Sequence, residues 1–208
     1  MTERRHMTML RSYTAADAFT IGNASCGTIA IFLCLEYVDA HHQALVWVAI
    51  CLLPLALALD VLDGYVARLN RSRQSRLGAD LDSLADVISF GVAPAVIGYA
   101  LGLRGGWDMA CLTYFVVCGV SRLARFNVTA SALADERTGK VKYFEGTPIP
   151  TSVILVGVLA VALALGRIHE FLWLGSIRIG PAALHPLALL YVASGSAMIS
   201  ATLRIPKP

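Results

Sequence analysis

Charge is scarce in this chain. Only 15% of its 208 residues are Asp, Glu, Lys or Arg, whereas 57% are hydrophobic. So apolar a chain is not an ordinary soluble domain. It is not a disordered one either, because disorder needs low hydrophobicity and high charge. Cysteine is sparse and odd in number. Cys26, Cys34, Cys51, Cys111 and Cys118 all lie in apolar runs, and none forms a C-x-x-C pair. This argues against a disulfide framework or a zinc site and for small buried hydrophobes. Tandem repeats and low-complexity tracts are lacking. Residues 1–17 have no apolar region leading to a small-residue cleavage site, so they do not read as a signal peptide. With Arg4, Arg5 and Arg11, they read either as a short amphipathic helix on the membrane surface or as a frayed basic tail.

Six apolar runs are present, at about 18–38, 44–67, 81–102, 107–126, 151–167 and 181–202. They predict an all-α membrane protein with six transmembrane helices. One membrane domain would occupy 18–208, after the basic segment 1–17. The basic residues set the expected orientation. Fourteen of the 17 Lys and Arg (Arg4, Arg5, Arg11, Arg68, Arg71, Arg73, Arg76, Arg122, Arg125, Arg137, Lys140, Lys142, Arg204 and Lys207) fall on one side of this topology, leaving Arg104, Arg167 and Arg178 on the other. The richer side is predicted to be cytoplasmic and to hold both termini. Basic residues that flank membrane runs give no reason to expect nucleic acid as a partner.

Four acids break the pattern. Asp60 and Asp63 close the second run, and Asp82 and Asp86 open the third. Each carboxylate in a bilayer core costs roughly 2.5–3.5 kcal/mol on insertion scales. Four together need positive compensation. On a helix, positions 60, 63, 64, 67 and 68 share one face. That face carries Asp60, Asp63, the small residues Gly64 and Ala67, and then Arg68. It suggests a narrow slot beside an acidic site, with a guanidinium able to bind phosphate. Asp82 and Asp86, four apart, also share a face, while Asp80 points elsewhere. Gly78 is expected to mark the turn into the third run. Antiparallel packing of runs two and three would then assemble a four-carboxylate cage. Oxygen ligands favour hard cations such as Mg²⁺, Mn²⁺ or Ca²⁺. Two such ions suit in-line displacement at phosphorus. A structural cluster or a divalent-metal transporter would use acids too, but would not require Gly64, Ala67, Arg68 and Gly78. A transporter would also place its acids near the bilayer midplane.

The pattern Asp60-x-x-Asp63-Gly64-x-x-Ala67-Arg68, then Gly78-x-x-x-Asp82-x-x-x-Asp86, resembles the signature of the CDP-alcohol phosphotransferases. Three further stretches resemble the phosphatidylserine synthase branch: Asp82 to Ala95, Arg122-Leu123-Ala124-Arg125-Phe126-Asn127, and Phe144-Glu145-Gly146-Thr147-Pro148-Ile149-Pro150. The resemblance implies transfer of a phosphatidyl group from CDP-diacylglycerol to L-serine with release of CMP. It implies metal ligation by Asp60, Asp63, Asp82 and Asp86, with Asp86 also the general base. It implies donor contacts from Gly64, Ala67, Arg68, Ser75 and Gly78. Thr20 and Asn23 resemble a first-span segment that contacts the nucleotide, or they form hydrogen bonds between helices; Asp17 stands where an asparagine is common and reads equally as a helix cap. Arg122 and Arg125 would hold a serine carboxylate or a phosphate, or would serve only as membrane-flanking anchors. Two Mg²⁺ or Mn²⁺ ions, with Ca²⁺ as a substitute, a homodimer and an inner-membrane location are likewise implied. A phosphatidylglycerophosphate or phosphatidylinositol phosphate synthase is the alternative within the family.

Overall fold

The computed structural model describes residues 15–69, 76–135, 143–200 and 204–206. The expected surface segment before residue 15, and Ser75 in the basic loop, lie outside the described residues. So does the side chain of Arg68.

Long runs of Ala, Leu, Val and Ile give the helices. Helix α1 is Ala15–Ala40, α2 is Gln43–Leu69, α3 is Arg76–Asp86, α4 is Ala93–Ala100 and α5 is Gly106–Asp135. After strand β1 (Tyr143–Glu145) come α6 (Val153–Ala164), strands β2 (Ile177–Ile179) and β3 (Ala182–Leu184), α7 (Leu189–Ile199) and strand β4 (Arg204–Pro206). Four stretches are long and apolar enough to cross a bilayer: Ala16–Ala40, Gln43–Ala67, Leu77–Ala100 and Gly106–Val128. The apolar helices Ile149–Ala164 and Pro186–Ile199 are shorter.

The third stretch is the central post, 61% of its most apolar window being buried inside the protein. It is not one regular helix. Six residues of π-helix, Val87–Val92, join α3 to α4 directly after Asp86. An extra residue in a turn rotates the helix beyond it relative to the helix before it. Here it lets Ser89 face α1 and donate to the Asn23 carbonyl at 2.8 Å. Gly27 makes that approach feasible, since a Cβ there would lie 2.7 Å from Ser89 Cα. The core runs through Tyr37, Leu53, Phe90, Ile97, Phe115, Leu159 and Tyr191. Outward-facing Phe32, Leu35, Val48 and Val117 are exposed and form the apolar surface a bilayer would cover.

Several expectations are corrected. Spans two and three approach closely at few places, among them the Asp60 and Asp82 side chains; α1 lies against both α2 and α3. Gly78 sits in the first turn of α3 rather than in a turn before it, away from the helix interior where glycine's backbone freedom is most costly. Residues 182–184 are strand, not helix. Gly180 (φ 62°) turns the β2–β3 hairpin, and Pro181, which has no N–H, cannot extend a helix ladder. The chain is therefore not purely α. A second two-stranded sheet pairs Tyr143 with Pro206 and Glu145 with Arg204. It brings the C-terminal strand to the same end of the bundle as the α5–α6 connection.

Candidate active site

The acids gather at that end. Asp60 comes from the last turns of α2, and Asp82 and Asp86 from one face of α3. Each offers a carboxylate oxygen within 4.8 Å of the others. The Asp60 and Asp82 side chains are within hydrogen-bonding reach. Asp86 is buried and Asp82 half-buried.

Helix α1 organises the cluster. Its Asn23, wholly buried, donates from Nδ2 to Asp86 Oδ1 at 3.2 Å. The Ser89 bond to the Asn23 carbonyl fixes the backbone beneath that amide. The other amide atom, Asn23 Oδ1, is buried with no hydrogen-bond partner among the described residues. One turn earlier, the Thr20 hydroxyl lies between the Ala16 carbonyl (3.3 Å) and the carboxylate of Asp63, to which it donates a hydrogen bond. Asp63 thus stands beside the three-carboxylate group rather than within it. Asp17, also buried, lies close enough to repel Asp63.

Helix α5 closes the other side. Ser83 of α3 donates to Asn127 Oδ1 at 3.2 Å. Arg122 is half-buried and its charge is drawn to Asp86. Its Nε is buried and has no partner among the described residues. The structure separates it from Arg125, which is exposed. Gly64 and Ala67 sit half-buried on α2, and Gly78 half-buried on α3. Beside the acids, Thr20, Ala24 and Thr28 of α1 face Leu81, Ala85 and Ile88 across an open groove of about 410 Å³.

This donor set suits a hard divalent cation. It consists of carboxylate oxygens alone, and its crowded negative charge is met among the described residues mainly by Arg122. Sequence reasoning leaves Asn23 open between a nucleotide contact and an interhelical hydrogen bond, and the structure shows the second, to Asp86. Sequence reasoning also leaves Asp17 as a helix cap. In both cases the signal is a polar residue in an apolar run, which shows that a partner exists but not which one.

The family model for CDP-alcohol phosphatidyltransferase matches residues 13–193. A Saccharomyces cerevisiae protein named CDP-diacylglycerol–serine O-phosphatidyltransferase is 42% identical over 209 residues, covering 100% of this chain and 75% of the relative. A Mycobacterium leprae protein of the same name is 46% identical over 72% of this chain, which spans only 48% of that relative. A Methanothermobacter thermautotrophicus protein named archaetidylserine synthase is 37% identical over 67% of this chain and 54% of its own length. With most of its length matched by one family model and its acidic signature gathered at one end of the bundle, the chain belongs to the CDP-alcohol phosphatidyltransferase family.

Proposed function

We propose that the protein transfers the phosphatidyl group of CDP-diacylglycerol to the hydroxyl of L-serine, forming phosphatidylserine and CMP. The observation that carries this is the 42% identity, over the whole chain, to a relative named for that reaction. The relative named for archaetidylserine shares serine in its name, although the lipid differs.

The work is divided among the chain's own residues. Asp60, Asp82 and Asp86, with Asp63 alongside, would hold Mg²⁺ or Mn²⁺, two ions at full occupancy, and Ca²⁺ as a substitute. Bound there, such ions neutralise a diphosphate that would otherwise repel its nucleophile. Asp86 accepts the serine hydroxyl proton. The serine oxygen forms the new bond to phosphorus, and the bond from phosphorus to the CMP oxygen breaks, CMP leaving with the electron pair. Asn23 holds Asp86 in place through its amide. Its Oδ1 and the Arg122 Nε, both lacking partners among the described residues, complement the two charges of a free amino acid. Oδ1 would take the ammonium and the guanidinium the carboxylate. Gly64 and Ala67 leave room for the donor on α2, and Thr20, Arg68, Ser75 and Gly78 complete its contacts. Arg125 would meet phosphate at the rim.

We further read the chain as six helical passes in the inner membrane, assembled as a homodimer. Both termini and the acids would face the cytoplasm. The support is the excess of Lys and Arg in the segments at the carboxylate end. The test is an acceptor panel in proteoliposomes supplied with CDP-diacylglycerol and Mn²⁺ or Mg²⁺. CMP release with serine alone is the expected result. Release with glycerol phosphate but not serine would overturn the acceptor assignment, and metal uptake without CMP release would overturn the enzyme.

A further inference from the structure

At the end of the bundle away from the acids, residues 165–188 connect α6 to α7. This connection is firmly held. The His169 N–H donates to the Leu101 carbonyl at 2.8 Å, and His169 Nε2 is 2.9 Å from the Tyr37 hydroxyl. The Trp107 indole N–H donates to the Ile179 carbonyl at 2.9 Å. The Asp108 carboxylate accepts from the His185 N–H at 2.7 Å and pairs with its Nδ1 at 2.5 Å. Leu172 is buried beneath it.

Yet the outer side of this anchored segment is apolar. Phe171 is 68% exposed, Leu174 79%, Ile177 52% and Ile179 46%. Leu174 is displayed from a left-handed backbone (φ 70°), a conformation that favours glycine or asparagine over a bulky side chain. On β2, alternation sets Ile177 and Ile179 on one face and Arg178 on the other.

Length explains what covers this surface. The hydrocarbon core is about 30 Å thick. Pass six, three residues of 3₁₀-helix and eleven of α-helix, spans only about 22 Å. Pass five, four of 3₁₀-helix and twelve of α-helix, reaches about 26 Å. Helices α1, α2 and α5, with 26, 27 and 30 residues, exceed the thickness. Tyr37, to which the segment is bonded, lies within the last turn of α1. The short passes and this contact therefore hold 165–188 at the rim of the apolar layer, level with the ends of the long helices. Trp107 beside the hairpin suits that depth, and Arg167 and Arg178 suit phosphate head groups there.

We propose that residues 171–179 form an interfacial lipid anchor. Phe171, Leu174, Ile177 and Ile179 insert among the upper acyl chains of the leaflet opposite the carboxylates, completing the two short passes. The anchor rests on the six-pass reading proposed above and not on the serine assignment.

The test uses the full chain in liposomes, with Trp47 and Trp173 replaced by Phe, Trp107 kept for its bond to Ile179, and a reporter introduced by Leu174→Trp and read as the difference from the parent that has Leu174. Ile177→Trp is the second reporter, on a regular strand, should the first fail to fold. The expected result is loss of most of the reporter emission with phospholipids brominated near the top of the acyl chain, together with protection from aqueous acrylamide. Quenching by acrylamide and not by bromolipid would overturn the proposal. So would protection from both quenchers, which would mean that protein, such as a second copy of the chain, covers the segment.

Discussion

The Asn23 amide offers the sharpest test of the site. Replacing it with Ala removes the donor 3.2 Å from Asp86 Oδ1. A hydrogen bond to a charged group contributes about 1.5–3 kcal/mol. If that bond holds Asp86 where it accepts the acceptor's proton, its loss lowers kcat by roughly 10-fold to 150-fold. Asn23→Asp keeps the shape but reverses the logic. Two carboxylates at that separation repel by about 5 kcal/mol at an effective dielectric of about 20. Activity should therefore fall in the order Asn, Ala, Asp, with the isosteric variant worst. The assay is CMP release from CDP-diacylglycerol in proteoliposomes at saturating serine, with thermal unfolding recorded for each variant to separate misfolding from lost chemistry. An Asp variant equal to or better than the Ala variant would refute the electrostatic role of the amide.

Three other outcomes are expected. Asp82→Asn, removing charge from the three-carboxylate group, should weaken Mn²⁺ binding by tenfold or more, about 1.4 kcal/mol, read by electron paramagnetic resonance without any substrate. Asp108→Ala leaves the Gly105 and His185 N–H groups and the His185 ring without their buried acceptor. It should cost about 2–4 kcal/mol of stability while leaving serine KM unchanged, because the site is at the opposite end; calorimetry and kinetics check the two halves. His169 has its pKa lowered by burial, then by Arg104 and His41. A depressed imidazole is protonated first in the unfolded chain, so stability should fall as pH drops from about 6.5 toward the lowered value. His169→Gln should flatten that slope in thermal melts.

Much of the site was legible in the chain because its spacing is helical. Asp60 with Gly64, and Asp82 with Asp86, are four apart, and that period puts them on single faces whatever else the protein does. Burying carboxylates among apolar residues also demands compensation wherever they lie. The metal-binding chemistry is read from those two facts, and the family from the resemblance of the Asp60–Asp86 signature to a known one. Periodicity says nothing about partners across space. It could not show that α1 lies against both α2 and α3. Nor could it show that Asn23 bonds Asp86, or that Arg122 turns inward while Arg125, three residues on, stays exposed.

The last third of the chain makes the same point. Hydrophobicity alone runs a helix from about 181 to 202, because an apolar strand and an apolar helix look alike to a window average. The contacts of residues 165–188 with Tyr37, Leu101 and Asp108 decide otherwise. Sequence by itself determined which residues must meet charge and which must meet lipid, since those are properties of side chains. Only the tertiary structure decided which side chains meet each other, because that depends on long-range packing at Gly27 against Ser89 and on a π-turn after Asp86 that no local pattern encodes.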